Sequence, residues 1–163
     1  MLIGIMSDSH DRLEKISKAV RVLNHRGVAA VLHAGDIVSP FTVRAFRELR
    51  CKVHFVWGNN DGDKLTLIRL FGDMATFHGW VMHGTVGGLS IYMAHHIPDE
   101  LAEKLARAGF NLIISGHTHS LSIRRLADRS MLINPGEVCG YLTGRSTVVV
   151  LDSLTMQAEV VEL

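Results

Sequence analysis

The chain of 163 residues is long enough to bury a substantial core, and residues 1–163 are most simply one domain. Hydrophobic residues make up 47%, which lies within the range of globular proteins. Lys and Arg number 17 and Asp and Glu number 16, so the formal charge is +1. This balance argues against a dedicated nucleic-acid or membrane-surface binder, because both usually carry a basic excess.

The first residues, MLIGIMSDSHDR, lack the basic segment of a secretory signal peptide, and only a short apolar run precedes the polar residues. No apolar stretch approaches the roughly 20 residues that a membrane span requires. We therefore expect a cytoplasmic location and no membrane partner. The two cysteines, Cys51 and Cys139, are then expected to be free rather than bridged.

The first third of the chain alternates strand-like and helical segments. LIGIM (2–6) is a short apolar run typical of a buried strand, and apolar residues at helical spacing follow it. VAAVLH (28–33) and VHFVW (53–57) predict two further strands, and between them Ser39 and Pro40 are typical of a helix start. The order βαβαβ predicts parallel strands joined by right-handed crossovers.

A weaker helical segment near 63–71 precedes a change in character. The later apolar runs are short and are separated by Gly, Asn, Asp or Ser, which is typical of β-strands. One helix interrupts them, because Pro98, Asp99 and Glu100 form a favourable first turn and Gly109 a stop. We therefore expect an α/β fold of two packed mixed β-sheets flanked by helices, in four layers ordered αββα.

Polar residues with the chemistry of metal ligands follow five of the predicted strands. In sheets of this kind, ligands gather outside the carboxyl ends of the strands. The five segments are Asp8-x-His10, Gly35-Asp36, Gly58-Asn59-Asn60-Asp61, His95-His96 and Gly116-His117-Thr118-His119. The series predicts a metal site at one edge of the sheet.

The residue types restrict the kind of metal site. No cysteine belongs to the series, which excludes a closed, Cys-rich structural zinc site. Imidazole suits zinc, iron, nickel and copper, whereas carboxylate and amide oxygens suit harder ions such as manganese. Seven ligands exceed the need of one ion with an open position, but they suit two ions that share a carboxylate, as in phosphate ester hydrolysis.

Each motif taken alone has a simpler explanation. A pair such as Asp8 and His10 is common, and Gly-Asp or Gly-Asn-Asn-Asp after a strand is usually a turn. Only the GHTH segment, residues 116–119, is informative by itself. The metal-site interpretation depends on the whole set occurring in this order and at strand ends.

In this order the motifs resemble the calcineurin-like metallophosphoesterase superfamily, and in particular its small bacterial and archaeal phosphodiesterase branch. The likeness extends from the first strand to Asn134-Pro135-Gly136. It implies two divalent cations, with manganese expected and zinc, iron or nickel as alternatives, and a hydroxide between them that attacks phosphorus. It also implies two ligand sets and a bridging carboxylate: Asp8, His10 and His119; Asn59, His95 and His117; and Asp36.

Two positions depart from the family pattern. Many relatives read Gly-Asn-His-Asp, where the histidine acts as a general acid or stabilises the phosphate, and Asn60 takes its place here. An amide cannot release a proton near neutral pH, and general acid catalysis is typically worth ~10²–10⁴-fold. We therefore expect slow cleavage of esters with poor leaving groups. His96 stands where relatives often have Gly and is a candidate substitute acid, with a substrate-edge or structural role as the alternative.

Other polar and aromatic residues have simpler interpretations. His33 and Asp61 are predicted to lie beside the site and to orient its ligands. Four histidines are predicted to be surface or hydrogen-bonded core residues: His25, His54, His78 and His83. Three arginines are predicted to form a solvated helix face: Arg44, Arg47 and Arg50. Trp57 and Trp80 are predicted to fill the core or an interface.

Three functions are compatible with these residues. The complete ligand set favours a dinuclear phosphodiesterase acting on a small-molecule or nucleotide-like phosphodiester. The alternative is a non-catalytic or weakly catalytic protein-interaction scaffold, because the small retromer subunit resembles this branch and also lacks the Gly-Asn-His-Asp histidine. A nuclease is disfavoured, since the charge is near neutral and no added nucleic-acid domain is evident. Self-association through the β-rich second half is left open.

Overall fold

Two mixed β-sheets, of six and five strands, lie at the centre of the structure. The computed structural model describes residues 1–163, except for the side chain of Asp128. The strands are β1 (Leu2–Met6), β2 (Ala30–His33), β3 (Lys52–Phe55), β4 (Ala75–Phe77), β5 (Val81–Val86), β6 (Leu89–Ala94), β7 (Leu112–Ile114), β8 (Ser122–Arg125), β9 (Met131–Asn134), β10 (Thr147–Asp152) and β11 (Gln157–Glu162).

Four α-helices and three single 3₁₀ turns connect these strands. The helices are α1 (Leu13–His25), α2 (Val43–Phe46), α3 (Lys64–Phe71) and α4 (Asp99–Arg107). The 3₁₀ turns span Pro40–Thr42, Gly72–Met74 and Ala127–Arg129. In the described part of the chain, no helix combines the length and apolarity needed to cross a lipid bilayer.

The second predicted helix is shorter than its apolar spacing indicates. It begins as expected, because the Ser39 side chain accepts a hydrogen bond from the Phe41 amide and caps a 3₁₀ turn that continues into α2. The α-helix ends at Phe46. Asn24, on α1, donates to the Glu48 carbonyl and accepts from the Arg50 amide, so a tertiary contact satisfies the backbone where further helix was predicted.

The six-stranded sheet has the order β11-β10-β1-β2-β3-β4. Strands β1 to β4 pair in parallel, as the βαβαβ pattern predicts for the first three. Strand β10 lies antiparallel to β1, and β11 lies antiparallel to β10. The last two strands of the chain therefore return to the sheet formed by the first third.

The five-stranded sheet has the order β5-β6-β7-β9-β8. Strands β5 and β6 form an antiparallel hairpin across Gly87 and Gly88, which both have positive φ, as a tight hairpin turn requires. Strands β6, β7 and β9 are parallel, and β8 is antiparallel to β9. The carboxyl ends of β6 and β7 thus point to the same edge.

Alternation along the strands separates the core into three apolar layers. The layer between the six-stranded sheet and helices α1 to α3 includes Met6, Ile16, Phe46, Phe55 and Leu67. The layer between the two sheets includes Ile3, Ile5, Ile91, Ile114 and Val149. The layer between the second sheet and α4 includes Ala102, Ala106, Ile113 and Leu132. The predicted αββα arrangement is confirmed.

Most of the simpler interpretations agree with the structure. Cys51 and Cys139 are free. His25 and His83 are exposed. Arg44, Arg47 and Arg50 are also exposed, but only Arg44 lies on a helix, because α2 ends at Phe46, so the predicted helix face of three arginines is wrong. His54 and His78 bond one another, 2.9 Å between ring nitrogens. Trp57 is buried. Trp80 is 63% exposed and precedes β5, outside the apolar layers, so it is not a core residue, and the predicted alternative of an interface role stays a prediction.

Candidate functional site

Loops at the carboxyl ends of the central strands meet at one edge of the sandwich. Five of the seven predicted ligands have a positive φ there: Asp8 at 51°, His10 at 40°, Asp36 at 58°, His117 at 68° and His119 at 59°. This conformation is costly for residues other than Gly, by roughly 1–3 kcal/mol each, and it persists only where surrounding contacts enforce it. The amides of Asp8 and His10 donate to the carbonyls of Gly35 and Asp36, which locks two loops together.

The first predicted ligand set lies close together. The Asp8 Oδ1 atom is 3.4 Å from His119 Nε2 and 3.8 Å from His10 Nε2. The rings of His10 and His119 stack with their centroids 5.1 Å apart. The Asp8 side chain is fully buried, so a carboxylate and two imidazoles share a site with little water.

The second predicted set surrounds the Asn59 amide. Asn59 Oδ1 lies 3.0 Å from His95 Nε2 and 3.0 Å from His117 Nδ1. Asp36 Oδ2 lies 3.4 Å from His95 Nε2 and also 3.4 Å from His10 Nε2. One carboxylate oxygen therefore stands between the two sets.

The residues fit divalent cations by an observation independent of the motifs. Among the buried side-chain atoms that the structure describes, Asp8 Oδ1 and His10 Nε2 have no hydrogen-bond partner. Buried polar atoms normally have one, because leaving them unsatisfied is unfavourable. A cation would supply the missing interaction. Nitrogen, carboxylate and amide donors together suit transition ions such as manganese, zinc or iron.

Glu137 is a functional residue that the motif analysis missed. Its buried carboxylate accepts a hydrogen bond from His119 Nδ1 at 2.7 Å, which leaves His119 Nε2 facing Asp8. The Thr143 amide and hydroxyl also donate to it, at 2.6 and 2.7 Å. Burial alone would raise the pKa of Glu137, but these bonds and that from Cys139 hold it well below its usual range. The available signal was an acid in an apolar segment just after Asn134-Pro135-Gly136.

Cys139 also lies beside the first set, although no cysteine belongs to the motif series. Its sulfur lies within 4.8 Å of a ring nitrogen of His10 and of His119. The thiol donates to Glu137 Oε2 at 2.9 Å. Burial and this hydrogen bond raise the pKa of Cys139 to about 12, which disfavours the thiolate form.

Backbone contacts fix the orientation of His95. Its Nδ1 atom donates to the Ala34 carbonyl at 2.8 Å, which turns the other ring nitrogen, Nε2, towards Asp36 and Asn59. Metal-binding histidines are commonly oriented in this way. The loop that follows β2 in the first sheet therefore positions His95, which follows β6 in the second sheet.

Asp61 braces two loops, as predicted. Its carboxylate accepts from the amides of Gly58 at 2.6 Å, Val38 at 2.7 Å and Asp36 at 3.2 Å. Burial raises the pKa of Asp61 in spite of these bonds. The Asp61 side chain therefore joins the loop of Asn59 to the loop of Asp36.

His33 is buried beneath the site. Its Nδ1 accepts from the Gly35 amide at 3.2 Å, and its Nε2 lies 3.0 Å from the Ser9 hydroxyl, so one neutral ring serves both neighbours. Its ring centroid is 4.9 Å from that of Phe55. Burial lowers the pKa of His33 to about 3.

Asn60 contacts Asp36 rather than an open part of the site. Its backbone amide donates to Asp36 Oδ1 at 2.8 Å, and its side-chain Nδ2 donates to Asp36 Oδ2 at 2.7 Å. Burial opposes ionisation of Asp36, but the bonds from His95 and Asn60 outweigh it and lower the pKa of Asp36. The Asn60 side-chain amide nitrogen is thus engaged with Asp36.

His96 lies at the edge of the second set. It is exposed, and its ring centroid is 5.1 Å from that of His117 at an interplanar angle of 67°. It lines a cavity of about 410 Å³ together with Trp57, Trp80 and Tyr92. Sequence reasoning missed this cavity, because its aromatic residues come from segments far apart in the chain.

The two packed sheets and the ligand-rich loops define the class of the protein. The calcineurin-like phosphoesterase superfamily domain matches residues 1–156, and the chain belongs to this superfamily. The predicted enzyme class, a metal-dependent phosphoesterase, is confirmed. The family uses divalent metals.

The chain is also similar to individual proteins of known sequence or structure. The chain is 35% identical to the phosphodiesterase MJ0936 of Methanocaldococcus jannaschii over 156 residues, covering 94% of this chain and 93% of that protein. A solved archaeal phosphodiesterase superposes with a TM-score of 0.91 at 33% identity over the full length of both chains. Vps29 of Chaetomium thermophilum superposes with a TM-score of 0.72 at 16% identity, covering 100% of this chain and 96% of that one, which shows a shared fold alone.

Replacing Gly58 by Ala should weaken metal binding. A Cβ atom there would lie 2.5 Å from the Asp36 amide nitrogen and closer still to its carboxylate oxygen, so Asp36 must move. We expect the metal affinity of Gly58→Ala to fall roughly 10–100-fold, as for other residues that support metal ligands. Calorimetric titration with Mn²⁺ measures this. Gly62→Ala is the control, because its Cβ would come no nearer than 3.7 Å to Val38; equal affinities of the two variants contradict the prediction.

His33 should make stability fall in mild acid. Its pKa is about 3 when folded against 6.5 for the free side chain, so the unfolded chain binds the extra proton between these values. The free energy of unfolding should therefore decrease as pH falls below about 6.5, by up to ~1.4 kcal/mol per pH unit from this residue. Urea unfolding at a series of pH values measures it. The slope should be shallower in His33→Gln and unchanged in the exposed control His25→Gln; parallel profiles for all three contradict the assignment.

Proposed function

We propose that the chain hydrolyses phosphodiesters with two divalent cations, manganese being the expected metal. The observation that carries the proposal is the position of Asp36 Oδ2, 3.4 Å from a ring nitrogen of each ligand set. A carboxylate placed between two groups of nitrogen and oxygen donors is suited to bridging two ions. The relative MJ0936, named a phosphodiesterase, supports the choice of diesters over monoesters.

We propose two sets of ligands that share Asp36. One ion would be held by Asp8, His10 and His119, the other by Asn59, His95 and His117, and Asp36 would serve both. When bound, the two ions would supply positive charge that clamps the phosphate and lowers the pKa of a water molecule.

The protein groups prepare the site for this chemistry. Glu137 and the Ala34 carbonyl fix the rings of His119 and His95, so that little reorientation is needed when the site fills. The hydrogen bonds from Asn60 keep the Asp36 carboxylate ionised and in place. None of the seven proposed ligands is a cysteine, which supports manganese over softer ions.

The site lacks a proton donor at position 60. The Asn60 amide is bonded to Asp36 and cannot release a proton. We propose that His96 partly replaces the missing acid, because its ring lies against His117 at the edge of the cavity. Activated diesters would need little help from it, since their leaving groups depart without protonation.

The scaffold alternative is not favoured by any contact among the described residues. The superposition with Vps29 supports a shared fold only. Seven donor side chains brought together around unsatisfied buried atoms support an enzyme instead. We also propose that residues 1–163 form one domain, because the central apolar layer joins both sheets.

Hydrolysis of bis(p-nitrophenyl) phosphate and p-nitrophenyl phosphate tests the proposal directly. The protein should cleave the diester faster, and Mn²⁺ should stimulate the reaction. Asp36→Ala and His117→Ala should each lower kcat/KM by roughly 10²–10³-fold or more. His83→Ala, an exposed histidine on β5, is the control and should retain activity. Activity that survives both site substitutions refutes the proposed site.

The rate should depend steeply on the leaving group. Across aryl phosphodiesters of rising leaving-group pKa, we expect kcat/KM to fall sharply, because Asn60 cannot protonate the departing oxygen. His96→Gln should slow the poorest leaving groups by up to ~10²-fold and the activated ones much less. A flat dependence in the wild type contradicts the proposal for Asn60. An equal loss for all esters in His96→Gln contradicts the proposal for His96.

A further inference from the structure

We propose that the cavity beside the second ligand set binds a planar aromatic group carried by the phosphodiester substrate. This inference rests on the proposed function, because it places one ester substituent of the diester in the cavity. The cavity of about 410 Å³ is of the size that small ligands occupy. The proposed substrate is therefore a nucleoside or aryl ester rather than a simple alkyl ester.

The cavity is continuous with the proposed metal site. Three of the proposed ligands form part of its lining: Asn59, His95 and His117. Aromatic and apolar side chains form most of the rest: Trp57, Trp80, Val81, Tyr92 and Ala94. A phosphate held at the ligand end therefore extends one of its ester groups directly over an aromatic wall.

Lys64 holds the two indoles in relation to the ligand loop. Its ammonium nitrogen lies 5.4 Å from the ring centroid of Trp57 and 5.3 Å from that of Trp80. It also donates to the Asp61 carbonyl, at the end of the loop that carries Asn59. Trp80, which belongs to the connection before β5, is thereby tied to the site by a cation–π contact and a hydrogen bond.

The two indoles differ in what they offer a ligand. Trp57 is 6% exposed and stacks on Phe77 with centroids 4.6 Å apart, so it is a fixed part of the wall. Trp80 is 63% exposed beside the cavity. A large flat π-surface held in place and left open is suited to stacking by another flat ring.

Charge also agrees with an aromatic diester. None of the described residues that line the cavity carries a carboxylate, so an anionic diester is not repelled there.

The larger cavity of about 470 Å³ is lined by polar residues of α1 and of the segment before β3, and it shares no residue with the proposed site. The cavity of Trp80, in contrast, combines continuity with the proposed ligands and an aromatic lining.

Calorimetric binding of two simple diesters tests the inference without relying on turnover. Diphenyl phosphate and diethyl phosphate carry the same charge, have poor leaving groups and differ in their rings. In the presence of Mn²⁺, wild-type protein should bind diphenyl phosphate more tightly. Trp80→Ala should lose roughly 5- to 150-fold in affinity for diphenyl phosphate, the range of ring stacking on an aromatic side chain. Its affinity for diethyl phosphate should not change.

Two further variants separate stacking from general damage. Trp80→Phe keeps a ring and should retain most of the preference for diphenyl phosphate. Phe41→Ala removes an aromatic side chain that is 75% exposed and does not line the cavity, so it should bind both diesters like the wild type. Equal affinity of wild-type protein for the two diesters, or an equal loss for both in Trp80→Ala, overturns the inference.

The same titration identifies the source of the ring. Thymidine 5′-phosphate methyl ester presents a nucleobase, whereas diphenyl phosphate presents a small aryl alcohol. The ligand that binds more tightly assigns the substrate to one class or the other.

Failure of this inference is distinguishable from failure of the proposed function. Metal-dependent hydrolysis without a ring preference leaves the function and removes the aromatic subsite. A Trp80-dependent ring preference without hydrolysis keeps the subsite and removes the function.

Discussion

The Asp36 carboxylate is the group on which the rest of the site depends. One of its oxygens stands at the same distance, 3.4 Å, from a nitrogen of His10 and a nitrogen of His95, which lie in loops that follow strands of different sheets. Three devices keep it there: two hydrogen bonds from Asn60, the Asp61 brace on its backbone amide, and a glycine at position 58 that leaves room for it. Burial would otherwise favour the neutral acid.

The surrounding architecture explains how so many polar residues can meet in a buried place. Loops from both sheets converge at one edge, and five of the proposed ligands have left-handed backbone conformations. Hydrogen bonds from the amides of Asp8 and His10 join two of these loops. Apolar layers above and below the strands supply the stability that such strained, polar loops lack. His33 connects the apolar core to the ligand loops. It packs against Phe55 on one side and forms hydrogen bonds with Ser9 and Gly35 of the ligand loops on the other.

Much of this arrangement could be predicted from local signals in the sequence. The parallel order of β1 to β3 followed from alternating strand and helix periods, and the seven candidate ligands followed from their positions at strand ends. Residues whose role depends on distant partners could not be found in this way. Glu137 gains its role from His119 and from amides of its own loop, and the early end of α2 depends on Asn24. The return of β10 and β11 to the first sheet and the pairing of Trp57 with Trp80 around Lys64 are likewise products of tertiary structure.

The central claim is that one carboxylate joins two cation sites. Electron paramagnetic resonance during titration with Mn²⁺ tests it most directly, because two Mn²⁺ ions bridged by a carboxylate are magnetically coupled and isolated ions are not. The account predicts a coupled signal when two ions are bound per chain, and its replacement by the signal of isolated ions in Asp36→Asn. Binding of one ion only, or two ions that remain uncoupled in the wild-type protein, would contradict it.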